Sequence, residues 1–180
     1  MGIVIDLRII PSRIHPDRWK SVYMETLQLV EAYEFMDRVV GERNGLQYDY
    51  AERTKNIKYL VGTGAEGWHS VVDMQTGCNT DDFALLGNIQ AYQPKEAQTD
   101  KGEDILLDEF YGLEMSGGPA GSINIWGGST NGQDSHIYLL AVACLIVDRL
   151  PEAAMVSGSI SAGQCQRAVR WANRHLSTPV

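Results

Sequence analysis

Alternating hydrophobic positions near the N-terminus predict the first β-strand. Residues 3–9 carry apolar side chains at every second position, which is typical of a strand with one buried face. Pro11 ends this segment, because proline cannot donate a hydrogen bond to a neighbouring strand. We therefore expect a short strand at the start of the fold.

Three longer segments carry the hydrophobic periodicity of helices. The first covers residues 16–39, with a proline at its first position and one continuous apolar stripe. The second, 135–149, is apolar nearly all round and should be buried on most sides. The third, 161–176, begins with Ser161 and Gln164 in the spacing of a capping box.

Shorter segments predict the remaining elements. Those with alternating or short apolar patterns are expected to be strands: 46–50, 57–61, 68–74, 122–126 and 153–156. The second and third of these, joined by a glycine-rich connection, predict a hairpin. Residues 83–89 predict a brief helix, and 105–110 is ambiguous between strand and helix.

The order of these elements predicts an α+β or mixed α/β fold. We expect a single, mostly antiparallel sheet of about five to six strands, covered by three main helices. With 44% hydrophobic residues in a chain of 180, one globular domain over residues 1–180 is expected. Residues 177–180 directly follow an amphipathic helix, which leaves open that this domain is the N-terminal module of a longer protein.

Charge narrows the range of partners. The chain has 15 Lys and Arg against 23 Asp and Glu, a net charge of −8. A binder of nucleic acid or of an anionic membrane needs an excess of basic residues, so neither partner is expected. Between Glu96 and Glu114 there are seven acids and one base. Such a segment can bind a cation or a basic protein, but it has no EF-hand pattern, so a solvated surface is the default interpretation.

Cysteine usage and hydropathy predict a cytoplasmic protein. Cys78, Cys144 and Cys165 form no CxxC pair, so neither a disulfide framework nor a zinc site is indicated. The N-terminus lacks the pattern of a signal peptide. The longest apolar run, residues 137–147, is much shorter than the ~20 residues of a membrane-spanning helix.

The most suggestive chemistry lies in the glycine-rich segment 116–136. Glycines let backbone amides approach an anion, and the N-terminus of a following helix can complete such a site. The segment matches neither common phosphate-binding glycine motif and has no lysine, so two flexible turns beside a strand are the simpler interpretation. The candidate ligand-binding residues are Trp126, Gly127, Gly128, Ser129, Thr130 and Asn131.

Asp134 and His136 are the candidates for acid–base catalysis. A histidine with its ordinary pKa of about 6.5 can exchange protons at neutral pH. No nucleophile can be assigned to His136 from the sequence, so a histidine that is exposed or caps the helix is the alternative. His69 and Asp73 would stand roughly 13 Å apart on a strand, too far to share a metal ion, and no metal or cofactor is expected.

The sequence therefore favours a non-catalytic binding or protein-interaction module with an acidic surface. Its protein partner is unknown and is expected to be basic, and Trp68 and Trp126 are candidate exposed aromatic contacts. The alternative is a small enzyme, or a protein that binds an anion or another small ligand, with its site in segment 116–136. The absence of a complete catalytic constellation in the sequence favours the first hypothesis.

Overall fold

The structure is a computed structural model that describes residues 3–33, 41–43, 46–48, 67–73, 78–92 and 121–180. Its strands and helices, in chain order, are β1 (Val4–Ile9), α1 (Pro16–Ala32), β2 (Gly41–Arg43), β3 (Leu46–Tyr48), β4 (Gly67–Asp73), β5 (Cys78–Leu86), β6 (Ile123–Ser129), α2 (Ser135–Arg149), β7 (Ala154–Gly158) and α3 (Ala162–Ala172). Among these described residues, two short 3-10 helices occur, at Pro11–Arg13 and Ile89–Tyr92.

Strand β1 is the centre of a three-stranded antiparallel sheet. It pairs with β6 along one side and with β7 along the other. The alternation predicted for this strand is confirmed, since Ile5, Leu7 and Ile9 are fully buried. The side chains between them point to the opposite face of the sheet, where Asp6 and Arg8 are half-buried.

The prediction of helices combined with antiparallel strands is confirmed, but a single sheet of five to six strands is wrong. The described strands form the sheet β6–β1–β7 and two separate pairs, β2–β3 and β4–β5. The β4–β5 pair packs against β6 through side chains: the indole nitrogen of Trp126 donates to the carbonyl of Ala84 at 2.7 Å. A strand that packs on its neighbour through side chains has the same hydrophobic pattern as one that pairs with it through the backbone. The sequence alone therefore does not distinguish the two arrangements.

The helix predicted over 83–89 is also wrong. Residues 83–86 belong to β5, where Phe83 and Leu85 are fully buried and Ala84 between them is half-buried. Pairing with β4 supplies the backbone hydrogen bonds that a helix would otherwise supply. The segment 57–61, predicted as the hairpin partner of β4, lies outside the described residues.

Helix α1 begins as predicted but ends earlier, at Ala32 instead of residue 39. Pro16 occupies its first turn, and the ring of His15 accepts a hydrogen bond from the Asp17 amide. The backbone of Tyr33 is extended, and its ring stacks on Tyr138 of α2 with the ring centroids 3.5 Å apart. This tertiary contact accompanies the end of the helix, although the hydrophobic stripe continues beyond it.

The last two helices match their sequence patterns. Most of α2 is buried, as its apolar character predicts. The capping box of α3 is confirmed, because Ser161 and Gln164 exchange hydrogen bonds between side chain and backbone. The small, fully buried residues Ala168 and Ala172 let α3 pack closely against α2.

Candidate functional site

The glycine-rich segment is described from residue 121 onward, and much of it is strand β6. Trp126 is 1% exposed, and its ring makes edge-to-face contacts with Phe83 and Trp68. Trp68 is 2% exposed. The prediction that Trp68 and Trp126 are exposed aromatic contacts is therefore wrong, because both rings complete the hydrophobic core between β6 and the β4–β5 pair.

The two glycines that follow Trp126 differ in their surroundings. Gly127 is exposed on β6, whereas Gly128 is buried beneath β5. A Cβ atom at Gly128 would lie 2.9 Å from the Cβ of Asp81 and 3.1 Å from the ring of Phe83. The absence of a side chain at Gly128 thus allows β5 to approach β6 closely, which is a packing role.

The last residue of β6 already binds a carboxylate from the protein itself. The backbone amide of Ser129 donates to a carboxylate oxygen of Asp81 at 2.7 Å. Asn131 has a positive φ of 53°, and its amide donates to the hydroxyl of Ser129. An anion approaching the Ser129 amide would compete with the Asp81 carboxylate, so a ligand role for residues 126–131 stays a prediction.

His136 forms a buried polar pair with Thr130. The Nδ1 atom of His136 lies 3.0 Å from the Thr130 hydroxyl, which in turn lies 3.2 Å from the carbonyl of Ile3. His136 is 3% exposed, and burial lowers the pKa of its ring below the ordinary 6.5. The imidazole is therefore neutral at pH 7.

Two arrangements of protons are compatible with this pair. If the Thr130 hydroxyl donates to the Ile3 carbonyl, Nδ1 of His136 carries the ring proton and Nε2 is an acceptor; if the hydroxyl donates to Nδ1, the ring proton is on Nε2. The Nε2 atom is buried and has no hydrogen-bond partner among the residues that the structure describes.

Asp134, by contrast, is exposed and makes no capping bond to α2, so the two candidate catalytic residues, Asp134 and His136, lie in different environments.

A cleft that the sequence did not indicate opens where β1 ends. It has a volume of about 310 Å³ and lies between the end of β1, the 3-10 helix after it, the residue before β6 and the start of β7. The described residues that line it are Arg8, Ile9, Ile10, Arg13, Ser122, Pro151, Glu152, Ala153, Ala154 and Met155.

Four of the described lining residues are polar. Arg8 and Arg13 carry guanidinium groups, Glu152 carries a carboxylate, and Ser122 carries a hydroxyl. Arg13 reaches the backbone carbonyl of Glu152 at 3.4 Å, a long contact that leaves most of its five donors available to a ligand. The hydroxyl of Ser122 is buried, with no hydrogen-bond partner in the described part of the chain.

The other six described lining residues are apolar: Ile9, Ile10, Pro151, Ala153, Ala154 and Met155. Met155 is 44% exposed. A methionine is an adaptable apolar contact, because its unbranched side chain changes rotamer easily. The cleft therefore presents charge and apolar surface side by side.

No short motif could have revealed this cleft. Its lining comes from segments that are far apart in the chain, and only the pairing of β1 with β6 and β7 brings them together. The one local signal is the pair of basic residues Arg8 and Arg13 on either side of Pro11. Ser122 does fall within the glycine-rich segment 116–136, but no motif distinguishes it from its neighbours.

The remaining candidates from the sequence are the acidic segment, two strand residues and two cysteines. Only the cysteines have side chains that the structure describes. The acidic segment 96–114 is not described, and neither are the side chains of His69 and Asp73. No group of three metal-ligating side chains occurs among the described residues. Cys144 and Cys165 are half-buried free thiols between α2 and α3.

Within the described ranges, none of the helices combines the length and the apolar character needed to cross a membrane. Comparisons with protein-family models, with curated proteins and with solved structures found no match to this chain. The functional interpretation therefore depends on the geometry of the chain itself.

Proposed function

We propose that this protein is a non-catalytic binding module that holds a small organic anion in the cleft at the end of β1. The observation that carries this proposal is the pair of guanidinium groups, Arg8 and Arg13, lining one concave surface of about 310 Å³. Clefts of roughly 300 Å³ and above, with apolar walls and a few polar groups, are the usual shape of small-molecule sites.

The chemistry of arginine supports an anionic ligand. Its planar guanidinium group matches the two oxygens of a carboxylate or phosphate, and such charge-assisted bonds are about twice as strong as neutral ones. Two guanidinium groups thus line one surface, and Arg13 makes only a long contact of 3.4 Å with the carbonyl of Glu152, which leaves donors of its guanidinium group for an anion. Apolar walls strengthen the interaction between such a charge and a ligand.

The unpartnered hydroxyl of Ser122 supports the same ligand. A buried hydroxyl without a partner costs on the order of 1–3 kcal/mol. A serine side chain turns about a single bond, so this hydroxyl can donate to an anion that enters the cleft. Ligand binding would then satisfy a polar group that the described protein leaves unsatisfied.

The same residues favour binding over catalysis. Arginine keeps its proton throughout the neutral pH range and therefore does not serve as a general acid or base. The buried His136 is not among the described residues that line the cleft. The interaction of segment 96–114 with a basic protein remains a separate prediction from the sequence, since that segment is outside the described residues.

The test is a titration of the purified protein with inorganic phosphate and with small carboxylates, followed by calorimetry at low ionic strength. We expect Arg13→Gln to weaken binding by roughly tenfold or more, because a bond to a charged group contributes about 1.5–3 kcal/mol. The matched control is Arg174→Gln, which changes an exposed arginine outside the cleft and should bind like the wild type.

Two results would contradict the proposed function. One is the absence of binding by every anion at concentrations of about 1 mM, the weak end of specific affinity. The other is equal binding by Arg13→Gln, Arg174→Gln and the wild type, which would place the anion elsewhere. Thermal unfolding of each variant separates a loss of binding from a loss of folding.

A further inference from the structure

We infer that the ligand of this cleft is an amphipathic carboxylate, with its charged end at the arginines and an apolar body against Met155. This inference depends on the proposed function, because it names the class of anion that the same cleft would hold. Six of the ten described lining residues are apolar, so a ligand that offers only charge would leave most of the wall in contact with water.

The strand register places the two kinds of contact next to each other. Arg8 of β1 stands directly opposite Met155 of β7 in the antiparallel pair. Side chains at opposite positions share one face of a sheet, with Cβ atoms about 4.5–5.5 Å apart. The part of a ligand that is bound by Arg8 therefore lies only a few carbon–carbon bond lengths from the Met155 side chain.

The exposure of Met155 is an independent indication of an apolar contact. Only two large hydrophobic side chains are exposed among the described residues, Met24 at 53% and Met155 at 44%. Met24 lies on α1 and does not line the cleft, whereas Met155 is one of its lining residues. An apolar body resting on Met155 would remove that surface from water.

The volume sets the size of the ligand. A cleft of about 310 Å³ holds roughly ten water molecules at about 30 Å³ each. A ligand with about ten non-hydrogen atoms fills the same space, which corresponds to a carboxylate of about eight carbons. Octanoate is therefore the probe of choice, and inorganic phosphate is the probe for charge without an apolar body.

The experiment is a calorimetric titration with acetate, butanoate, hexanoate, octanoate, decanoate and inorganic phosphate. We expect affinity to rise by about fourfold for each buried methylene, and to level off near eight carbons where the cleft is full. Octanol, which has the apolar body without the charge, should bind at least tenfold more weakly than octanoate.

Two matched variants locate the apolar contact. Met155→Ser should weaken octanoate binding by about tenfold and leave acetate binding unchanged. Met24→Ser removes an equally exposed methionine outside the cleft and should change neither affinity. Both substitutions are at surface positions, and thermal unfolding verifies that each variant is folded.

The outcomes separate this inference from the proposed function. If acetate, octanoate and phosphate bind with similar affinity through Arg13, the cleft is an anion site and the amphipathic ligand is refuted. If phosphate binds and carboxylates do not, the inference fails in the same way. If no anion binds, the proposed function fails and the inference fails with it.

Discussion

Truncation of Arg149 tests how the two longest described helices are held together. This arginine is the last residue of α2, and its Nε and Nη2 atoms bind both carboxylate oxygens of Glu25 on α1 at 3.0–3.3 Å. The same guanidinium group donates to the carbonyls of Thr178 and Pro179 at 2.6 and 3.1 Å. One side chain thus connects α1, α2 and the residues after α3.

The magnitude follows from the burial of this pair. The side chains of Arg149 and Glu25 are only 17% and 22% exposed. Removing one partner of a fully buried pair costs about 3–5 kcal/mol, whereas an exposed pair contributes about 0–1 kcal/mol. For this partly buried, two-pronged contact we expect Arg149→Ala to lower the free energy of unfolding by about 3 kcal/mol.

The assay is urea unfolding of the single variants Arg149→Ala and Glu25→Ala and of the double variant. The coupling energy from this cycle isolates the contact between the two side chains, and we expect about 1.5–2 kcal/mol. Arg149→Lys should recover only part of the loss, because an ammonium group cannot bind both carboxylate oxygens in a fork. Arg170→Ala, at an exposed position of α3, is the control and should change stability by less than about 0.5 kcal/mol.

The reasoning is refuted if Arg149→Ala costs no more than the Arg170→Ala control. It is also refuted if the coupling energy is near zero, since the loss would then come from the bonds to the Thr178 and Pro179 carbonyls or from packing of the arginine stem, and not from the ion pair. A coupling energy that disappears at about 1 M salt would assign the pair to the exposed class, because salt screens exposed charges strongly.

Two further predictions concern a buried ring and a glycine. Burial lowers the pKa of His136, so protonation favours the unfolded state, and the free energy of unfolding should fall as the pH drops below about 6.5 and level off below the lowered pKa. Urea unfolding between pH 7 and 5 should show a flatter profile for His136→Gln than for the wild type, and parallel profiles would contradict the assignment. Gly158 has a φ of +117°, and a Cβ there would lie 2.4 Å from the carbonyl oxygen of Val4, so Gly158→Ala should cost at least about 2 kcal/mol in thermal unfolding. Gly163→Ala, in α3, where a Cβ would make only an ordinary contact of 3.9 Å with the Ser161 hydroxyl, is the control and should raise stability by about 0.5–1 kcal/mol; a similar loss in both variants would refute the steric explanation.

Local patterns in the sequence predicted the elements whose stability is local. The alternation in β1, the burial of α2 and the capping box at Ser161 each depend on residues within one or two turns or a few strand positions. The prediction failed where distant contacts decide the structure. Tyr33 leaves the helical conformation and stacks on Tyr138 of α2, and Phe83 lies in a strand because β4 pairs with it.

The glycine-rich segment shows the same limit for function. Glycines beside a strand can serve an anion site or a close packing contact, and the sequence pattern of the two is identical. At Gly128 the decisive fact is the position of Asp81 and Phe83 on β5, more than forty residues away in the chain. The cleft arginines carry no sequence signal for the complementary reason, because no motif links Arg8 to Met155 until β1 and β7 are paired.

The net charge of the chain limits the interactions by which the cleft can bind an anion. A charge of −8 repels an anion at long range, so electrostatic steering by the whole protein opposes the approach of the proposed ligand. Affinity must then come from contacts made within a few ångströms: the guanidinium forks of Arg8 and Arg13, the hydroxyl of Ser122 and the apolar wall at Met155. A polyanion such as nucleic acid needs many basic residues spread over a wide surface, and one narrow cleft with two arginines does not provide them. A compact ligand with a single charge and an apolar body can contact both the arginines and the apolar lining of the proposed site. Its single charge also keeps repulsion by the acidic protein small.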